Sequence, residues 1–120
     1  MNKKMLAIAV ILLAVMVGVV YAQSEIMPNI GIYMTTTPGA NVIRITSIKN
    51  VWSIRKIEYL DPTTGDVVYS GTGRWSDGEF QVTVNGLGMG IWTIISAKRF
   101  IDDGGNTWRY ARKSFESEIL

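Results

Sequence analysis

After Ala22 the chain runs in short stretches of β-branched and aromatic residues, repeatedly broken by Gly, Pro, Asn or Asp, and no window carries a helical period. That pattern restricts the fold to a β-sandwich or a β-barrel. Seven strands are expected, at Ile32–Thr36, Val42–Ser47, Trp52–Leu60, Val67–Gly71, Glu79–Asn85, Ile91–Phe100 and Thr107–Phe115. The breaks between them have mechanisms. Pro38-Gly39 fixes one φ and offers a left-handed position. Asp61-Pro62-Thr63-Thr64-Gly65-Asp66 and Asp102-Asp103-Gly104-Gly105-Asn106 read as hairpin loops, and Ser76-Asp77-Gly78 as a tighter turn. Connections this short make consecutive strands antiparallel neighbours.

Side-chain alternation then assigns faces. Phe80, Val82 and Val84 point inward together, as do Ile43 and Ile45. The stretch Ile91–Phe100 slips parity, because Trp92 and Ile94 share one face while Ile91, Ile95 and Ala97 share the other. Either both faces are covered or a bulge shifts the register near Ile94-Ile95. Trp52, Ile54, Ile57 and Tyr59 carry the same double apolar character. Trp52 and Trp92 are therefore expected in the core of a sandwich. If Asp102–Asn106 is the whole last loop, Phe100 faces Trp108 and Arg99 faces Arg109. This turns the aromatics inward and lays a basic stripe outward.

Leu87-Gly88-Met89-Gly90-Ile91-Trp92-Thr93-Ile94, followed by Ala97 and Asp102-Asp103-Gly104-Gly105-Asn106, resembles the penultimate strand and last hairpin of immunoglobulin-like domains. The prokaryotic and fibronectin type III kinds share a Leu-x-x-Gly-x-Tyr-x-Val pattern, a later Ala and an Asp-x-x-Gly-Asn turn. Trp92 stands where the family has Tyr, and the spacing from Trp92 to Ala97 is odd where the family's is even. The resemblance implies an all-β, seven-strand antiparallel immunoglobulin-like sandwich over residues 32–120. It implies no catalytic residues and no particular ligand.

Ahead of that domain, Lys3 and Lys4 precede an uncharged apolar run, Met5–Val20. Val20 and Ala22 then put small residues at the −3 and −1 positions before Gln23. This is the three-part layout of a secretory signal peptide. The run is long for a signal and short for a membrane span, so residues 1–22 are read as a helix that is either cleaved or kept as an anchor. Both outcomes place the rest of the chain outside, secreted or on the extracellular face of the membrane, because the lysines hold the N-terminus inside. Residues 23–31 form an extended leader. An exported domain without cysteine fits a prokaryotic exterior better than an animal one.

Composition narrows the chemistry. The formal charge is +2, and Lys3 and Lys4 supply the excess, so the exported part is neutral and nucleic-acid binding is not implied. With no Cys and no His, the chain has no thiolate or imidazole to serve as nucleophile, base or zinc ligand. No Gly-x-Ser-x-Gly elbow surrounds a serine. Gly71-Thr72-Gly73-Arg74 precedes no helix and lacks the ending of a phosphate loop, and it reads as a strand end and connection. The turn aspartates are expected to bond their own backbone. No enzyme is expected, and no cofactor, calcium at Asp102, Asp103 and Asn106 being a minor alternative.

Binding is the remaining function. Trp75, beside Arg74 in a glycine-rich stretch, is a candidate to stack on a sugar or anchor a partner. Lys98, Arg99, Arg109 and Lys113 are candidates to meet an anionic surface. The expectation is a non-catalytic cell-surface module for binding or adhesion, with a protein or polysaccharide as partner and membrane contact through residues 5–22 if uncleaved. The alternatives are a carbohydrate-binding protein using Trp75 and Trp108, or a secreted inhibitor or assembly subunit that pairs through an edge strand.

Overall fold

The structure is a computed structural model, and it describes residues 25–115. Eight strands follow in order: β1 Gly31–Met34, β2 Val42–Ile48, β3 Val51–Leu60, β4 Val67–Ser76, β5 Glu79–Val84, β6 Gly88–Ser96, β7 Arg99–Ile101 and β8 Thr107–Arg112. Each pairs antiparallel with the next, and β8 returns to β1 through Ile32↔Arg112, Tyr33↔Tyr110 and Met34↔Arg109. The result is a closed up-and-down barrel.

Closure overturns the immunoglobulin-like and fibronectin type III-like sandwich. A sandwich is two sheets, each with edges, whereas every strand here has two partners. The stretch that carried the resemblance is built differently too. Ile91–Phe100 is not one strand but β6 and β7, separated by a turn at Ala97-Lys98. The register shift between Ile94 and Ser96 accounts for the parity slip. There is no helix among the described residues, and the helix read over residues 1–22 lies outside them.

Why the chain closes is visible in what fills it. An eight-stranded barrel has a lumen just wide enough for side chains. Tyr33, Phe80, Trp92, Phe100 and Trp108 occupy it with Ile43, Ile45, Ile57, Val82 and Val84, all buried. Fully burying side chains of this kind stabilises by roughly 1.5–3 kcal/mol each. Bulk on one strand is matched by its absence on another. Inside β4, Gly73 leaves its Cβ position to the Phe80 ring, which would lie 2.7 Å away, and a Cβ on Gly71 would run into the Thr83 carbonyl. The Gly71–Arg74 stretch is thus the middle of a strand, not its end.

A second, smaller cluster lies on the outer face. Ile32, Val42 and Leu60 have the opposite parity to Tyr33, Ile43 and Tyr59, and Phe115 packs against them. Beside it Glu58, only 7% exposed, is held by Arg44 at 3.0 Å.

Candidate functional site

Meandering strands put the connections alternately at two ends. The turns at 49–50, 77–78 and 97–98 share one end with the segment before β1, and the loops at 35–41, 61–66, 85–87 and 102–106 form the other. These are called the leader end and the loop end.

At the leader end, residues 26–30 cross the opening and are tied down from four sides. Trp75 Nε1 donates to the Ile26 carbonyl at 3.0 Å, Arg55 Nε to the Pro28 carbonyl at 3.0 Å, and Asn29 N to the Ala97 carbonyl at 2.8 Å. The Tyr33 hydroxyl lies 2.8 Å from the Asn29 carbonyl and 2.9 Å from that of Ala97, and donates its one proton between them. Burial, reinforced by Tyr110, pushes the Tyr33 phenol up to about 12. Pro28 is fully buried, and Met27 packs on the core.

Beside this plug the wall opens into a pocket of about 250 Å³, lined by Trp75, Phe80, Trp92 and Ile94, with Gly78, Glu79, Ile91 and Thr93 around it. Its floor belongs to a ladder of rings. Trp75 meets Phe80 edge-on at 5.6 Å, Phe80 leans on Trp92 at 6.0 Å, and Trp92 stacks on Phe100 at 4.2 Å. Such pairs add about 0.5–1.5 kcal/mol each beyond their buried area, so the floor is stiff. Position follows from local sequence. Asp77 (φ 53°) and Gly78 (φ 76°) make the left-handed two-residue turn that sets Trp75 opposite Phe80.

At the loop end a cleft of about 50 Å³ lies among Tyr59, Val84, Gly88, Gly90, Trp92 and Asp103. Asp102 organises its rim, accepting from Gly104 N at 3.0 Å, Asn106 N at 2.9 Å and Trp108 Nε1 at 2.9 Å. Asp103 lies over Gly90, where a Cβ would be 2.7 Å from its Cγ. Burial first, then the charges of Asp102 and Asp103, push the Tyr59 phenol up to about 12. Among the described residues, no group of three or more His, Cys, Asp or Glu side chains is placed to hold a metal.

The sequence-derived candidates are scattered over this architecture. Trp75 is in β4, half-buried, with one edge committed to the leader. Arg99 and Arg109 are paired across β7 and β8 and exposed, and Phe100 faces Trp108 as expected from the loop length. Lys98 sits in the turn with its amine 5.4 Å from the centre of the Tyr110 ring, and Lys113 follows β8. The four basic residues cluster around β7 and β8, and Trp75 does not join them. Trp108 is 4% exposed and offers no platform. Val20, Ala22 and Gln23 lie outside the described residues.

Trp52, expected in the core, is 82% exposed. The signal was there: Trp52 shares its parity with Lys56 and Glu58, while Ile57 and Tyr59 have the other. The rest of the pocket, Phe80, Trp92 and Ile94, has no sequence mark that distinguishes lining from core. No protein-family model, curated protein or solved structure matches the chain. The fold and its openings therefore define the molecule only as a small closed β-barrel with an aromatic-floored pocket.

Proposed function

We propose that the protein is an exported, non-catalytic binding barrel that holds an apolar ring or a short aliphatic group in the pocket beside Trp75. The pocket itself carries this reading. Its 250 Å³ exceeds the roughly 150 Å³ of an apolar cavity that takes up benzene, and its floor is three aromatic rings and Ile94. Export is supported by Lys3 and Lys4 followed by the Met5–Val20 run. A binding role without catalysis is supported by a chain lacking imidazole and thiol, whose turn aspartates Asp61 and Asp102 are engaged with their own loops.

Tryptophan emission titrated with toluene, indole, hexanol and methyl glycosides tests this. Saturable changes are expected with the apolar members and not with the glycosides. They should weaken in Ile94→Phe, which extends a ring into the pocket and keeps the inward face apolar. Saturation by glycosides alone, or binding unchanged in Ile94→Phe, would refute the pocket as the site.

A second reading rests on the Arg99↔Arg109 pair. Two exposed guanidinium groups facing each other repel unless an anion lies between them. An anionic polysaccharide meeting this face would give salt-sensitive retention on heparin that Arg99→Ala with Arg109→Ala abolishes. Unchanged retention would dismiss it.

A further inference from the structure

At the loop end β6 leaves the mouth of the lumen unfilled. Its inward positions there are Gly88 and Gly90, opposite Val84 and Val82 of β5, and only the next one, Trp92, carries a ring. Two successive inward positions without side chains leave the cleft of about 50 Å³, which has Tyr59 and Trp92 among its walls. Against the roughly 150 Å³ that takes up benzene, this is room for a group of about two or three heavy atoms. What borders the cleft on its outer side is a carboxylate. Asp102 and Asp103 are consecutive acids in one loop, but they are used differently. Both oxygens of Asp102 are engaged, Oδ1 with the amides of Gly104 and Asn106 and Oδ2 with the Trp108 indole. Asp103 has neither a hydrogen bond nor an ion pair among the described residues, yet its carboxylate is folded against β6, over Gly90.

Charge and ring chemistry select the same kind of guest. The four loops of this end carry Asp61, Asp66, Asp102 and Asp103 and no basic residue. A concave site lined by one sign of charge concentrates the opposite ion. Aromatic faces attract a cation more than a neutral molecule of its size. A metal ion does not suit these walls, because one carboxylate among rings and glycines lacks the several oxygens that calcium takes. The end of a primary alkylamine suits them: a methylene and an ammonium nitrogen are two heavy atoms, with the charge on the compact tip.

We propose that the loop-end cleft binds a primary alkylammonium group, its charge against the Asp103 carboxylate and its first methylene against the Tyr59 and Trp92 rings. The site is separate from the pocket beside Trp75 and shares only Trp92 with it. Because Trp92 borders both, the test reads backbone amides by nuclear magnetic resonance rather than tryptophan emission. Butylammonium chloride titrated into the isotope-labelled full chain should give saturable shifts at the amides of Gly88, Gly90 and Asp103, and none at Asn29. Butanol, of the same length without the charge, should give none, and neither should potassium chloride at equal concentration. Asp103→Asn, which keeps the shape of an exposed loop side chain and removes its charge, should weaken binding about tenfold. Gly90→Ala, whose methyl group would displace that carboxylate, should weaken it as well. Shifts matched by butanol or potassium overturn the ammonium site, as do amides that show no saturation and binding that Asp103→Asn leaves unchanged. A lysine side chain in a peptide with blocked termini supplies the last arm. Tighter binding of that lysine than of butylammonium supports the site with a protein-borne amine as guest, and the reverse order supports it with a free one.

Discussion

The two ends of the barrel are closed by different kinds of bond. At the leader end the partners are far apart in sequence, with Trp75 reaching Ile26, Arg55 reaching Pro28 and Asn29 reaching Ala97. At the loop end the two acidic loops satisfy themselves, Asp61 through the amides of Thr63 and Thr64 and Asp102 through those of Gly104 and Asn106. Local closure orders few residues and survives without the rest of the fold. Long-range closure exists only once the strands have found one another. The leader end should therefore open when the barrel opens, and the loops should open one at a time.

Four predictions press on that contrast. The largest concerns the ring stack that joins the ends. Phe100→Ala removes the ring stacked on Trp92 and should lower stability by about 3–5 kcal/mol in urea denaturation. Amides at both ends should lose protection together, and loosening of one end alone would break the comparison. Next is Asp102→Ala, which leaves the Trp108 indole N–H without its acceptor and should lower stability by about 2 kcal/mol. Hydrogen exchange should quicken at Gly104 and Asn106 and stay slow at Asn29. Tyr33→Phe is its counterpart at the leader end, at about 1 kcal/mol, with the pattern of exchange reversed.

The remaining effects are in pH. Tyr33 and Tyr59 are each pushed from 10.0 to about 12, so the folded state holds these protons more tightly than the unfolded chain. That stabilisation is complete below pH 10.0 and is lost as pH rises towards 12. Tyr33→Phe should remove the leader end's share of the alkaline limb seen by circular dichroism. Asp61 is shifted the other way, held below its ordinary 3.8 by the Thr64 and Thr63 amides. Its loop should loosen only as pH falls below 3.8, with the leader end unaffected.

What could be read from the residues was local. Alternation placed Phe80, Val82, Val84, Ile43 and Ile45 inside, and a five-residue loop set Arg99 against Arg109. What could not be read lacked a local mark. The turn at Ala97-Lys98 contains no Gly, Pro, Asn or Asp, so the apolar stretch through it passed for a single strand. Barrel and sandwich impose the same alternation, and they differ only in whether β1 meets β8, a pairing between residues most of a chain apart. Gly71 and Gly73 signal a break in isolation, yet both are strand interior, where Gly73 leaves room for the Phe80 ring and Gly71 for the Thr83 carbonyl. For the site, Trp75 was visible as a residue, but the pocket was not. Its other walls are core side chains, and an opening between core side chains is a property of their packing.

Closure of β1 on β8 is the claim on which the leader plug and both openings depend, and the absence of native cysteine gives a direct way to test it. Met34 and Arg109 are paired across that seam, and both are exposed. Directly opposed antiparallel residues have Cα atoms about 4.5–5.5 Å apart, within the range a disulfide spans. The double variant Met34→Cys with Arg109→Cys, oxidised as a folded monomer, should form one intramolecular disulfide and leave no titratable thiol. Two thiols that remain titratable in the folded monomer would mean that β1 and β8 are not neighbours and that the barrel is not closed.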